Sequence, residues 1–307
     1  MIERVCVVGG GVIGSLFAGH LGQVTDVSVL CRRDGHARAL AEHGLRVSGR
    51  HELTTPVAAA VSPDDLPEPD LVIVATKATG LEAAAASLAG RWPAATVMTV
   101  QNGLGAEDVV RRRGDWPLLS AVTFMSGTKH SDTHVEYILD TETWIGPYRG
   151  AALERAREAG ELLARSGLNV EVLEDLRPAQ WSKLIFNATV NGVAALTGLP
   201  HDFHFADGAL GELVHTLVDE GKAIAHAAGI ELHDDPWEMN VLATRRGSAH
   251  YPSMLEDVER GRPTEVELIN GALVRQAREH GLDAPLQGAV YALIRGREAA
   301  YARPEQP

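Results

Sequence analysis

The chain has 307 residues, 45% hydrophobic and 22% charged, with 28 basic against 41 acidic side chains and a formal net charge of −13. That balance suits a globular protein of one or two domains and argues against a nucleic-acid footprint, since Arg111-Arg112-Arg113 is short and reads as a solvated helix end. Two cysteines, Cys6 and Cys31, make neither a disulfide framework nor a zinc set, and no apolar stretch reaches the roughly 20 residues a membrane span needs.

The first predicted strand begins near Ile2, which leaves no room for a signal peptide, so a reducing, cytoplasmic setting is the expectation. The apolar run Val5–Val8 ends in Gly9-Gly10-Gly11-Val12-Ile13-Gly14 and then turns helical. This is G-x-G-x-x-G between a strand and a helix, the fingerprint of a dinucleotide-binding turn. Gly9 would serve the sharp turn, Gly11 the approach of a pyrophosphate, and Gly14 the packing of helix on strand. The N–H groups of Val12, Ile13 and Gly14 would open the helix toward the phosphates.

The next strand, 27–30, ends at Cys31-Arg32-Arg33. An NAD-selective site usually carries an acid at this tip, bonded to the ribose 2′-hydroxyl. Here arginines follow a cysteine, and a guanidinium fork suits a phosphate, so Arg32, with or without Arg33, is read as holding the 2′-phosphate of NADP(H). The alternative is a pair of solvated arginines with Asp34 as a displaced NAD acid. Strands at 71–75 and 96–100 and helices at 14–22, 35–43 and 80–90 complete an alternation that predicts a parallel sheet covered on both faces. Lys77 and Asn102 follow the carboxyl ends of the 71–75 and 96–100 strands, the ends that face the ligand crevice in such a sheet. A solvated strand-end lysine and a plain Asn-Gly turn are the bland readings of the two.

Further strands are expected near 118–124, 134–139, 143–146 and 169–172, with 133–146 forming a hairpin that turns near Asp140, and a helix over 151–166. After residue 174 β-branched runs give way to helical patterns at 178–196, 207–228, 235–245, 253–260, 264–280 and 285–301. The chain thus reads as α/β: a Rossmann-type doubly wound domain over 1–174, then an all-α domain over 175–307, and a cleft between such domains is a common place for a ligand.

Within 178–196, Lys183, Asn187 and Asn191 recur at i, i+4 and i+8 and form one polar stripe on an otherwise apolar helix. Buried unpaired polar groups cost about 1–3 kcal/mol each, so the stripe needs partners; a polar substrate would supply them, as would a wet seam between helices. Ser253-x-x-Glu256 and Thr264-x-x-Glu267 both fit the capping box at a helix start, which leaves Glu265 and Asn270 without a specific role. His201, Asp202, His204 and Asp207 form a polar cluster whose spacing matches no metal site, and no metal is expected.

Taken together, these blocks resemble the ketopantoate reductase (2-dehydropantoate 2-reductase) family along nearly the whole chain. The resemblance rests on the N-terminal G-x-G-x-x-G, Lys77, Asn102-Gly103, Trp181-x-Lys183-Leu184 with Asn187 and Asn191, Ser253-Met254-Leu255-x-Asp257, and Thr264-Glu265-x-Glu267-x-Ile269-Asn270-Gly271. It implies that Lys183 is the general acid that protonates the ketone oxygen, with Glu265 orienting it. It implies further that Asn187, Asn191 and Ser253 bind substrate, and that Lys77 and Asn102 lie by the nicotinamide with Arg32 on the 2′-phosphate. The implied reaction is NADPH-dependent reduction of 2-dehydropantoate to (R)-pantoate, a step toward pantothenate and coenzyme A. The partner would be a small 2-oxo acid, with no nucleic acid or membrane involved; the oligomeric state is not legible in the sequence, a homodimer being one option. Thr79-Gly80 and Pro200-His201 stand where relatives often carry a bulkier polar residue and an amide, respectively. The rival readings are a paralogue acting on another 2-oxo acid, a 3-hydroxy acid or opine-type dehydrogenase, and a non-catalytic NADPH sensor, which would need neither Lys183 nor Glu265.

Overall fold

The computed structural model describes residues 2–201, 208–246 and 252–301, without the side chains of 244–246. The chain falls into two compact units, one made of Met1–Gln101 and Ala106–Leu176, the other of Asn102–Gly105 and Arg177–Pro307.

The first unit is built on an eight-stranded sheet. β1 (Arg4–Val8) is flanked by β2 (Asp26–Leu30) and β6 (Leu71–Val74), all parallel. β5 (Ala58–Ala60) extends the sheet beyond β2, and β7 (Thr96–Thr99) and β8 (Leu118–Thr123) extend it beyond β6 in the same sense. β11 (Thr143–Pro147) then runs antiparallel to β8, with β12 (Val170–Val172) parallel to it at the edge. The chain leaves β1 toward β2 and later returns to its other side with β6, so the topological switch point lies at the carboxyl end of β1. β1, β2 and β6 are buried almost throughout, as strands covered on both faces must be. α1 (Val12–Leu21), α2 (Asp34–His43), α3 (Ala78–Leu88), α4 (Ala106–Arg111) and α5 (Leu153–Arg165) complete the unit.

A second, four-stranded sheet, ordered β4 (Leu53–Thr55), β3 (Leu45–Gly49), β10 (His134–Leu139), β9 (Ser126–Ser131), belongs to this unit; of its strands only β10 is expected from the sequence. It also corrects the expected hairpin. β10 pairs antiparallel with β9 across the turn at Asp132-Thr133, while β11 belongs to the large sheet. The side chains account for the split. β10 alternates buried Val135 and Tyr137 with more exposed neighbours, as suits a one-faced sheet, whereas Thr143–Gly146 is buried at every position and needs cover on both faces. The small sheet rests on α1, where Gly19 makes room: a Cβ there would lie 2.4 Å from a Val47 methyl.

The second unit is helical. α6 (Arg177–Thr197) packs against α7 (Ala209–Ala227), α8 (Pro236–Arg246), α9 (Ser253–Glu259) and α11 (Pro285–Tyr301). Its buried face, Leu184, Ile185, Ala188, Val193 and Ala195, lies in one apolar cluster with Val214, Leu217, Val218, Leu273 and Ile294. Small residues set the spacing: a Cβ on Gly221 would meet Ile185 at 2.7 Å, and one on Gly192 would meet Val290 at 2.6 Å. Glu220 of α7 caps α11 from outside, accepting from the N–H groups of Leu286 and Gln287 at 3.1 and 2.7 Å.

Neither expected capping box forms. Ser253 is the first residue inside α9, with Pro252 at the N-cap, and Glu256 pairs with Arg260 at 3.2 Å. Residues 265–269 are turns, and α10 (Asn270–Glu279) starts six residues later than the helix expected from 264. Thr264 is held elsewhere: its N–H and hydroxyl both donate to Glu298 Oε1, at 2.6 and 2.7 Å. Glu267 is drawn instead to Arg275 and to the Tyr291 hydroxyl. Asn270 acquires a structural role, donating to the Ala188 carbonyl at 2.8 Å and to Gln287 Oε1 at 2.9 Å, so that it ties α6, α10 and α11 together.

Candidate active site

The candidate functional side chains fall into two groups, one in each unit. In the first unit Gly9 has φ +104° and its N–H donates to the Leu30 carbonyl at 2.9 Å, so β1 ends in a turn that L residues rarely adopt. A Cβ on Gly14 would sit 1.9 Å from the Gly9 carbonyl oxygen, so α1 and the turn are in direct backbone contact. A Cβ on Gly11, by contrast, would meet nothing within 4 Å. The space above Gly11 is therefore open, as backbone approach by a pyrophosphate requires. Gly11 is the N-cap of α1, with no side-chain cap and no acid in the first turn, which leaves the N–H groups of Val12, Ile13 and Gly14 and the positive dipole end uncompensated by protein.

At the end of β2, Cys31 is buried, and burial pushes its thiol up to about 11. Arg33 pairs with Asp132 at 2.6 Å and Asp34 pairs with Arg38, while Arg32 is exposed and has no partner among the described residues. The two alternatives to Arg32 at this tip are thus committed to protein partners. Lys77, exposed, occupies the N-cap position of α3 just past β6. Gln101, at the end of β7, donates through Nε2 to the carbonyls of Val74 and Thr76 at 2.8 and 2.9 Å, which fixes the chain leading to Lys77.

In the second unit the central group is Lys183. Its Nζ donates to Asn102 Oδ1 at 2.8 Å, and Asn102 Nδ2 donates to Glu265 Oε2 at 2.9 Å. One amide therefore bridges an ammonium and a carboxylate, and its orientation is fixed at both ends because ammonium has only donors and carboxylate only acceptors. Burial, opposed by the Glu265 charge, pushes the Lys183 amine down to about 8.

Backbone geometry delivers each member. Lys183 stands on the apolar helix α6, anchored where the buried Ser182 hydroxyl donates to the Pro178 and Asp234 carbonyls at 3.0 and 2.8 Å. Glu265 opens the turn before α10, and its carbonyl accepts from the N–H groups of Leu268 and Ile269. Asn102 arrives on the excursion 102–105, which leaves β7 and joins the helical unit through Leu104 N–H to the Leu268 carbonyl at 2.9 Å. Gly103 allows this contact. Its φ is +93°, and a Cβ would lie 1.9 Å from the Leu268 carbonyl oxygen.

Asn187 and Asn191 follow Lys183 by one and two turns of α6. They are only 7% and 5% exposed, yet neither side chain bonds to another described residue. Ser253 is exposed at the start of α9, which packs along α6, and no hydrogen bond joins it to the Lys183 group among the described residues. The structure thus brings together Lys183, Asn102 and Glu265, with Asn187 and Asn191 on the same helix. The sequence set Asn102 beside a cofactor; its amide is engaged by Lys183 and Glu265, and only the glycine that follows it hinted at a close approach. His201 is buried against Phe186 of α6, edge to face at 6.0 Å, while Asp202, His204 and Asp207 lie outside the described residues. No cluster of metal-ligating side chains occurs among the described residues, and no described helix is long and apolar enough to cross a membrane.

Comparison with known proteins bears on this geometry. The family Ketopantoate reductase PanE/ApbA matches residues 5–150, and its C-terminal counterpart matches residues 175–298. A 2-dehydropantoate 2-reductase of Archaeoglobus fulgidus is 30% identical over 298 residues, covering 97% of this chain and 99% of its own. The crystal structure of a PanE/ApbA family ketopantoate reductase from Ralstonia eutropha JMP134 has a TM-score of 0.89 at 25% identity, over 98% of this chain and 100% of that one. D-mandelate dehydrogenase, solved with NADH and anilino(oxo)acetate, shares the fold with a TM-score of 0.87 at 23% identity, over 98% and 100% of the two chains.

The Gly103 contact can be tested against its neighbour. Gly105 also has positive φ, +99°, but a Cβ there meets nothing within 4 Å. Gly105→Ala is expected to lose only about 1 kcal/mol, the cost of left-handed backbone. Gly103→Ala adds a backbone clash and should lose about 2–4 kcal/mol in denaturant unfolding. Equal losses would show that the approach to Leu268 is not what demands glycine.

Proposed function

Because the chain belongs to the ketopantoate reductase family, we propose that it reduces 2-dehydropantoate to (R)-pantoate with NADPH, using Lys183 as general acid. The reading places the enzyme on the route to pantothenate. One observation carries it: a half-buried lysine ammonium, fixed through Asn102 to Glu265, lies on the same helix as two buried amides that have no partner among the described residues. Such amides are held ready for hydrogen bonds from a ligand, because leaving them unmet costs about 1–3 kcal/mol each.

The chemistry follows from the arrangement. A bound reduced nicotinamide supplies the hydride. As C2 of the 2-oxo acid accepts it, negative charge builds on the carbonyl oxygen. Lys183 Nζ stabilises that charge and transfers a proton to the oxygen, which yields the alcohol and leaves a neutral amine. Burial makes the amine a ready donor, since the neutral form is the one a low-dielectric site favours. Glu265 opposes this enough to keep the amine protonated before reaction, and Asn102 holds the two in register. Asn187 and Asn191 bind the hydroxyl and carbonyl groups of the substrate, and Ser253 its carboxylate.

The glycine-rich turn fits the dinucleotide: open space above Gly11, free N–H groups at Val12, Ile13 and Gly14, and no acid in the first turn. Arg32, which has no partner among the described residues, supports a 2′-phosphate contact, and Lys77, just past β6, is assigned to the nicotinamide side. A panel of ketopantoate, pyruvate, 2-oxoisovalerate and oxaloacetate, followed by NADPH oxidation, tests the substrate; a clear preference for one of the other three acids would replace ketopantoate.

The proton donor has its own signature. Activity should fall as pH rises through about 8, where Lys183 loses its proton. Glu265→Gln removes the charge that holds the pKa up, so that limb should move to lower pH. Lys183→Ala should lower turnover by about 10²–10⁴-fold with NADPH binding retained. An unmoved limb or undiminished turnover would remove Lys183 and Glu265 from the reaction.

Cofactor choice is tested separately. Arg32→Ala should weaken NADPH at least about tenfold more than NADH, the scale of one lost charge-assisted pair. Equal weakening of both cofactors by fluorescence titration would argue against the 2′-phosphate contact.

A further inference from the structure

The small sheet carries a cation to the glycine-rich turn. Lys129 lies on β9, an otherwise largely exposed strand, yet its own side chain is only 23% exposed. Its Nζ donates to the Gly10 carbonyl and, at 3.2 Å, to His36 Nε2. An ammonium cannot accept, so Nε2 is the acceptor and the His36 proton sits on Nδ1, which faces Asp132 at 3.9 Å. The His36 ring lies against the turn, where a Cβ on Gly10 would meet it at 2.6 Å. Burial, and after it the Lys129 charge, hold the imidazole below its usual pKa, so the ring is a neutral support for the ammonium.

The nearest carboxylate leaves Lys129 largely uncompensated. Asp132 Oδ1 is 4.0 Å from Nζ and is claimed by Arg33 at 2.6 Å. Around the end of β2, Arg32, Arg33 and Lys129 face Asp132 alone, because Asp34 is paired with Arg38; burial lowers the Lys129 amine and the Asp132 charge opposes that. Two of the three donors on Nζ are engaged, and one is left for a ligand. A phosphate monoester carries more than one charge near neutral pH, which a single exposed arginine does not match. The surplus is local, in a chain whose net charge is −13.

We propose that Lys129 is a second cofactor-binding residue, which together with Arg32 brackets the 2′-phosphate of the adenosine ribose at the end of β2. The inference rests on the reading that NADPH lies on this turn. His36 and Asp132 act through Lys129 and Arg33 as positioning residues.

Calorimetric titration with 2′,5′-ADP and with 5′-AMP separates this role from support of the Gly10 carbonyl. Lys129→Met should weaken 2′,5′-ADP at least about tenfold and leave 5′-AMP within about twofold. Lys129→Gln, which keeps a donor for the carbonyl but no charge, should behave in the same way, and Lys129→Arg should retain the preference for 2′,5′-ADP. Equal weakening of both ligands, or of neither, overturns the role of Lys129. Wild-type protein that binds the two ligands equally would overturn the NADPH reading itself, whatever the variants do.

Discussion

An ammonium that is largely removed from water must be matched by its surroundings, and the helical unit is arranged around that requirement at Lys183. An oppositely charged group in direct contact would satisfy it but would also hold the proton tightly. Here an amide intervenes, so the Glu265 charge acts on Lys183 through Asn102 and only part of the burial penalty is offset. Three pieces of backbone have to converge for this: the apolar helix α6, the turn of residues 265–269, and the excursion 102–105. Each is fixed by its own contacts, the Ser182 anchor, the displaced start of α10 and the glycine approach to Leu268.

The nucleotide-binding unit solves a different electrostatic problem, that of attracting an anion to an acidic protein. Its positive elements are gathered at one corner of the sheet: the open end of α1, Arg32 beyond β2, and Lys129 brought across from the small sheet. Asp132 and Asp34, the acids nearest that corner, are each tied to an arginine. These pairings, as much as the residue at the tip of β2, decide which charges at this corner are left without a protein partner among the described residues.

Local patterns made part of this legible in the sequence. A strand-turn-helix motif six residues long singles out Gly9, Gly11 and Gly14, and the structure has the turn at Gly9, the close packing at Gly14 and open space at Gly11. The Lys183, Asn187 and Asn191 stripe follows from helical periodicity alone. What the sequence did not reveal depends on long-range pairing. β3 pairs with β10 across nearly ninety residues of chain, β4 is only three residues long, and β9 is polar, so the second sheet has no strong local signature. Lys129 belongs to no local motif and has no place until that sheet exists. Asn102-Gly103 reads locally as an ordinary turn, and nothing nearby in sequence says that it crosses to the helices. The two capping boxes failed for the converse reason: a good local motif at Thr264 lost to a tertiary carboxylate at Glu298.

The same dipeptide has a chemical consequence. In Asn-Gly sequences the following backbone nitrogen readily attacks the side-chain carbonyl carbon, which closes a succinimide and ends in aspartate or isoaspartate. At position 102 that change would replace a donor with a second anion facing Glu265. Here the side chain is clamped at its oxygen by Lys183 and at its nitrogen by Glu265, and Gly103 is held at φ +93°. The clamp opposes the rotation that ring closure needs, so folding shields from ageing the bond that the native geometry most depends on.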